Sequence, residues 1–174
     1  MNKPSTLVIG IGNEYRGDDS VGLLVCRELS RLRPSGCEIV ESHGEGTSLM
    51  QLWQGYSRVI IVDAINSGDR PGRIHRFDLD EREFSSEEFR CSSHVFALAD
   101  AVRLARTLDT LPRRVLILGV EAVNFGFGAK VDTRVEIAVE QIVDLVLEEL
   151  AHSYPGSIVR EAVQLRDMTP DSRL

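Results

Sequence analysis

The sequence predicts an α/β domain built on a mostly parallel sheet of five strands, and three observations carry that expectation. Short apolar runs alternate with amphipathic stretches along the chain. The runs Val59-Ile60-Ile61-Val62 and Val115-Leu116-Ile117-Leu118 are continuously apolar, as strands covered on both faces must be. One further run, Arg73 to Phe77, alternates weakly and carries charge, which places it at an edge, where it is expected to run antiparallel.

The elements follow in order. Thr6 to Gly10 is the first strand, and a glycine-rich loop from Gly10 to Gly17 follows it. Val21, Leu24, Val25, Leu29 and Leu32 then fall on one helical face that ends near Pro34. Cys37 to Glu41 reads as the second strand. The polar turn Ser42-His43-Gly44-Glu45-Gly46 leads into a short helix carrying Leu49, Leu52 and Trp53. Val59 to Val62 is the third strand, with Asp63 directly after it, and turns at Ser67-Gly68 and Pro71-Gly72 precede the edge strand. Residues 80–91 are a polar, acidic connection. A helix capped by Ser92 or Ser93 carries the stripe Val95, Leu98, Val102 and Ala105. After the fifth strand, Asn124 to Lys130 reads as a loop, and Asp132 is placed to cap a long last helix with Val135, Val139, Ile142 and Val146 inward. Residues 1–152 are expected to form the single domain, and 153–174 a tail or short extra helix.

Composition narrows the function classes. The 174 residues suit one compact domain, and the net charge of −7 without a Lys/Arg stripe argues against nucleic acid or an acidic membrane as partner. Three cysteines, Cys26, Cys37 and Cys91, with no C-x-x-C pair, argue against a disulfide framework or a zinc ribbon and fit a reducing compartment. The first apolar run is too short for a signal peptide and no stretch approaches membrane-spanning length, so a soluble cytoplasmic protein is expected.

Open α/β sheets place their sites beyond the carboxyl ends of the strands. Asp19, Asp63 and His94 fall at such ends, and the loop after the second strand adds His43 and Glu45. Two carboxylates and an imidazole suit a divalent transition metal, and carboxylates also serve as general bases. Each has a plainer reading: Asp18 and Asp19 could cap a helix, Asp63 could be a turn residue, and His94 a backbone-bonded helix residue. His75 and His152 read as surface residues. Trp53, Phe125 and Phe127 read equally as packing residues or as a docking surface. Gly10-Ile11-Gly12 is similar to a dinucleotide-binding loop, but the third glycine of that pattern would fall at Tyr15.

Gly10-Ile11-Gly12-Asn13 followed by Gly17-Asp18-Asp19-Ser20-Val21-Gly22 resembles the opening signature of the hydrogenase maturation proteases. Val59 to Ala64, Pro71-Gly72, His75-Arg76-Phe77-Asp78, Ser92-Ser93-His94 and Gly119-Val120-Glu121 match later blocks in order, from about Leu7 to Leu150. The resemblance implies a three-layer domain with a twisted sheet and helices on both faces. It implies an aspartic-type endopeptidase that removes the C-terminal extension of a nickel–iron hydrogenase large subunit after nickel insertion. By position the family's two acids fall on Asp19 and Asp63 and its histidine on His94, as catalytic and metal-contacting residues. Nickel is then supplied by the substrate protein, and a monomer suffices. Gly12, Asn13, Gly17, His43, Gly44 and Glu45 are the substrate-loop candidates. Where the family often shows Asp-Gly-Gly-Thr, this chain has Glu41 to Gly46, a bulkier loop. A non-catalytic, nickel-dependent chaperone of the large subunit would use the same ligands, and a nucleotide-binding oxidoreductase is a remoter alternative.

Overall fold

Strong β-formers between glycine and proline punctuation set the strands, and these assemble into one sheet in the computed structural model of the chain. It describes residues 5–79 and 93–153, with side chains in the third helix from residue 98 onward. The connection 80–91, Cys91, the Ser92 capping reading, Val95 and the tail beyond Ser153 lie outside the described residues or side chains.

The chain runs β1 (Thr6–Ile11), α1 (Val21–Leu32), β2 (Cys37–Ser42), α2 (Gly46–Leu52), β3 (Arg58–Ile65), β4 (Ile74–Asp78), α3 (Ser93–Thr107), β5 (Arg114–Glu121) and α4 (Thr133–Ser153). The strand order is β2-β1-β3-β5-β4. All neighbours pair in parallel except β4, which lies antiparallel on β5 at the edge, as its weak alternation implied. The fold is thus the mixed, mostly parallel sheet expected.

Alternation along the strands divides the interior into two cores. Val8, Ile60, Val62, Leu116 and Leu118 point to one face, where they meet α1 and α4 through Val25, Leu29, Val135, Ile142 and Val146. Leu7, Ile9, Val59, Ile61 and Ile117 point to the other, against Leu49 and Trp53 around α2 and Leu98, Val102 and Ala105 of α3. Trp53 is therefore a packing residue, and its docking reading is discarded.

Local chemistry ends the helices. Arg33 takes a left-handed conformation and donates its N–H to Leu29 O, closing α1 just before Pro34. At the start of α4 the Asp132 carboxylate accepts the Arg134 N–H at 2.9 Å, the cap expected of it. The Arg134 guanidinium, with that N–H, holds the Asp132 carboxyl down at about 2.

One boundary differs in a way that matters. Asp63 does not follow β3 but sits within it, paired opposite Gly119 of β5, and the strand continues to Ile65. A charged residue ended the apolar run in the sequence, yet the ladder to β5 persists after β1 has stopped pairing at Val62. On that side the sheet is open, so the strand can carry a carboxylate.

Candidate active site

The site is organised by the point where the chain reverses direction across the sheet. From β1 the chain passes to β2 on one side. From β3 it passes to β4 and β5 on the other. A crevice opens at such a switch point beyond the carboxyl ends of the two strands. The β1 loop carries Asp19 to this crevice and β3 carries Asp63.

The loop after β1 is folded tightly on itself. Asn13 Oδ1 accepts the Tyr15 N–H at 3.0 Å, and Asn13 N–H donates to Asp19 O at 3.1 Å. A 3₁₀ turn, Gly17–Ser20, then leads directly into α1, with Ser20 Oγ donating to Gly17 O at 2.7 Å. A Cβ at Gly12 would lie 2.0 Å from Asp19 O, so only glycine lets the two backbone segments close together. Gly17 has φ +53°, and a Cβ there would meet Asn124 O at 2.5 Å. These glycines serve packing within the loop.

The acidic doublet divides its labour. Asp18 is buried and its carboxylate accepts three backbone N–H groups: Asp132 at 2.6 Å, Asn124 at 2.9 Å and Val123 at 3.1 Å. Asp18 N–H itself donates to Asn124 O at 2.9 Å. Asp18 therefore does not cap α1; it fastens the loop after β5 to the turn that carries Asp19. Asp19, beside it on the same turn, is 1% exposed.

The turn bearing Asp19 packs against β3. A Cβ at Gly22, where α1 begins, would meet both Ile11 O and Val62 O, at 2.3 and 2.5 Å, so the helix start lies on the strand immediately before Asp63. Asp63 is likewise 1% exposed, and one of its oxygens accepts the Ala64 N–H at 2.8 Å. By alternation it shares the face of Ile61 and Ile65, the α2/α3 side, and its neighbour across the ladder is Gly119, with no side chain. Two carboxylates thus enter the sheet end from contiguous segments. His94 occupies the second position of α3, one turn before Leu98, which packs on that same face. Its side chain is outside the described atoms. Among the described residues no three His, Cys, Asp or Glu side chains form a metal-holding group.

Between the loops that follow β1 and β2 lies a cleft of about 250 Å³ lined by Asn13, Glu14, Tyr15, Leu23, Arg27, Glu41, Ser42 and His43. Gly12 N–H donates to Ser42 O at 3.1 Å, bridging the two loops that form it. His43 and Glu45 are exposed; Gly44, at φ +79°, is buried and donates to Ser42 Oγ at 3.2 Å. The substrate-loop candidates therefore separate: Asn13 and His43 line the cleft, Gly12 packs on the backbone of Asp19, Gly17 packs on the loop after β5, Gly44 binds Ser42 Oγ, and Glu45 precedes α2, accepting from Ser48 Oγ at 3.4 Å.

Other readings fall away. Arg27 grips Glu41 with two contacts, at 3.1 and 3.2 Å, which occupies the acid that a nucleotide ribose would need. Burial pushes the Cys26 thiol up to about 12 and Cys37 to about 11, so neither supplies a thiolate near neutrality. His75 is not a plain surface residue. Its ring stacks on Phe77, and Nε2 lies 3.7 Å from the buried carboxylate of Glu121. Glu121, missed as a functional candidate, accepts from Ser67 Oγ, Gly68 N and Asp69 N and so ties down the loop after β3. Its burial on a strand end, beside a polar Ser-Gly-Asp turn, was the available signal.

Comparison with known proteins decides among the remaining readings. The model of the hydrogenase maturation protease family matches residues 24–149, more than half the chain. The chain belongs to the hydrogenase maturation protease family. It is 30% identical over 155 residues to the hydrogenase expression/formation protein HoxM of Azotobacter vinelandii, covering 87% of this chain and 74% of that one. It is 26% identical to the [NiFe] hydrogenase maturation protease HybD of Thermococcus kodakarensis, with a TM-score of 0.68 over 84% of this chain and 98% of that one. The fold also matches the hydrogenase maturating endopeptidase HybD of Escherichia coli, at 24% identity and a TM-score of 0.71, covering 86% and 93%. This maturation protease is accordingly a peptidase, a hydrolase of the α/β class. Among its described residues no helix is long and apolar enough to cross a membrane.

Proposed function

We propose that the protease removes the C-terminal extension of a nickel–iron hydrogenase large-subunit precursor, and that Asp19, Asp63 and His94 meet the nickel the precursor carries. The observation that supports this is the pair of buried carboxylates on the touching Asp19 turn and β3, at the switch point of the sheet. Burying two acids on touching segments has a cost unless a cation or reacting group exploits them. A relative described as a [NiFe] hydrogenase maturation protease is consistent with a nickel-bearing client.

The chemistry is that of an aspartic-type peptidase. A carboxylate takes a proton from water as its oxygen bonds to the scissile carbonyl carbon. The C–N bond then breaks, and that proton passes to the leaving amine. Nickel, arriving as part of the substrate, gives recognition: a precursor without the metal lacks the central contact. Asn13 and His43 along the cleft contact the peptide. The enzyme works as a monomer in the cytoplasm, a setting consistent with unpaired Cys26 and Cys37.

The test offers purified precursor, with and without nickel, to the wild type and to Asp63→Asn and His94→Ala, and reads the precursor by mass spectrometry. The expected result is loss of a C-terminal peptide from the nickel-loaded precursor with the wild type alone, and at least a hundredfold slower processing by either variant with its fold retained. Equal cleavage of nickel-free precursor removes the metal contact. An intact precursor mass in a stable complex makes the protein a chaperone instead.

A further inference from the structure

The loop after β5 carries an aromatic that packing does not account for. Phe127 is 85% exposed, and its ring stacks on Tyr15, itself 60% exposed, with centroids 6.0 Å apart and planes inclined by 23°. Val123, at the base of the same loop, is also exposed. Phe125, by contrast, packs against the α1/α4 core. Of the aromatic residues considered from sequence, Phe127 alone remains as a docking candidate, and Tyr15 joins it.

The pair is held rigidly. Gly128 N–H donates to Tyr15 O at 2.7 Å, and Arg16 Nε donates to Phe125 O at 3.2 Å. The Asp18 carboxylate fastens both ends of the loop through Val123, Asn124 and Asp132. An apolar surface that is both exposed and fixed in place loses little conformational freedom on binding, the property of an interface anchor.

Its position names the occupant. Tyr15 belongs to the aromatic pair and also lines the cleft with Asn13, Ser42 and His43. It lies on the same folded loop as Asp19. The patch is thus continuous with the cleft into which a substrate peptide must enter.

We infer that Tyr15 and Phe127 form a docking platform for an apolar side chain of the precursor polypeptide next to the scissile bond. This inference rests on the proteolytic reading above. The platform sets specificity by anchoring the peptide beside the acids, while Asp18 keeps platform and acids in register.

Binding and cleavage are measured separately so that the two readings can fail separately. Tyr15→Ser and Phe127→Ser are placed in an Asp63→Asn background and titrated with nickel-loaded precursor; the same changes in the active enzyme are assayed for processing. The expected result is about tenfold weaker binding and a KM raised about tenfold, with kcat within twofold. Phe127→Trp restores both, and Leu108→Ala, exposed beyond the end of α3, alters neither. Unchanged binding and KM in folded Tyr15→Ser and Phe127→Ser overturn the platform, even if the wild type processes precursor. If light scattering shows a dimer that both serine variants dissolve without a change in KM, the patch joins two copies of the chain and the proposal is equally overturned. Failure of the wild type to cleave any precursor defeats the proteolytic reading alone, because the titration still reports docking.

Discussion

Asp18 and Asp19 are adjacent and chemically identical, yet their surroundings give them different work. Both oxygens of Asp18 are spent on three N–H groups of the loop after β5. Removing them leaves buried donors unsatisfied, at a cost of about 1–3 kcal/mol for each one that water cannot reach. Asp18→Ala should therefore lower stability by about 3 kcal/mol in urea unfolding, shifting the midpoint with an unchanged m-value. An unmoved midpoint would mean that the stitch contributes nothing. What was legible in the sequence is that Asp19 and Asp63 lie towards the carboxyl ends of β1 and β3, the side on which α/β sheets keep their chemistry. The role of Asp18 was not. Its partners are more than a hundred positions away and are backbone groups, which no side-chain pattern encodes.

At the scale of elements, the central strands were visible as continuous apolar runs, buried on both faces, and the helices as periodic apolar stripes. What it hid were contacts at the opposite end of the sheet from the site. There Arg58, at the start of β3, pairs with Glu149 of α4, while Arg76 of β4 reaches Glu149 Oε1 at 2.7 Å and Arg114 of β5 stands 3.9 Å away. Arg58 stands just before the apolar run of β3, and only the fold reveals that it is buried. Burial pushes the Glu149 carboxyl up, but Arg76, Arg58 and Arg114 outweigh it and hold the group below its ordinary value. A depressed carboxylate adds stability that is fully present above the unfolded glutamate value of about 4.3 and is lost as pH falls through the folded value. Glu149→Gln strands a buried guanidinium and should cost about 3 kcal/mol at pH 7. That deficit should shrink steadily below about pH 4, where the wild type's own carboxyl takes up its proton. Unfolding measured across this range checks both the size and the sign. A deficit independent of pH would show that Glu149 acts by packing alone.

For the molecule as a whole, the sheet couples two cores that share no side chain. β3 supplies Ile60 and Val62 to the α1/α4 layer and Ile61 to the α2/α3 layer, so neither layer can loosen without disturbing the same backbone ladder. The single tryptophan, Trp53, lies wholly in the α2/α3 core and reports on that side. Ile142 lies wholly in the other. Ile142→Ala should cost about 2–5 kcal/mol, the loss expected for a truncated buried isoleucine. If the sheet makes the fold one cooperative unit, the tryptophan fluorescence midpoint and the far-ultraviolet dichroism midpoint fall together by the same amount, although the mutation touches nothing near Trp53. Separated midpoints would show two layers that unfold independently. Coupling also bears on function, because the crevice is assembled from both sides: the Asp19 turn opens α1 on one layer, and Asp63 faces the other. A cooperative sheet keeps these acids in register as long as the protein is folded. Processing by Ile142→Ala, normalised to its folded fraction, should therefore match the wild type.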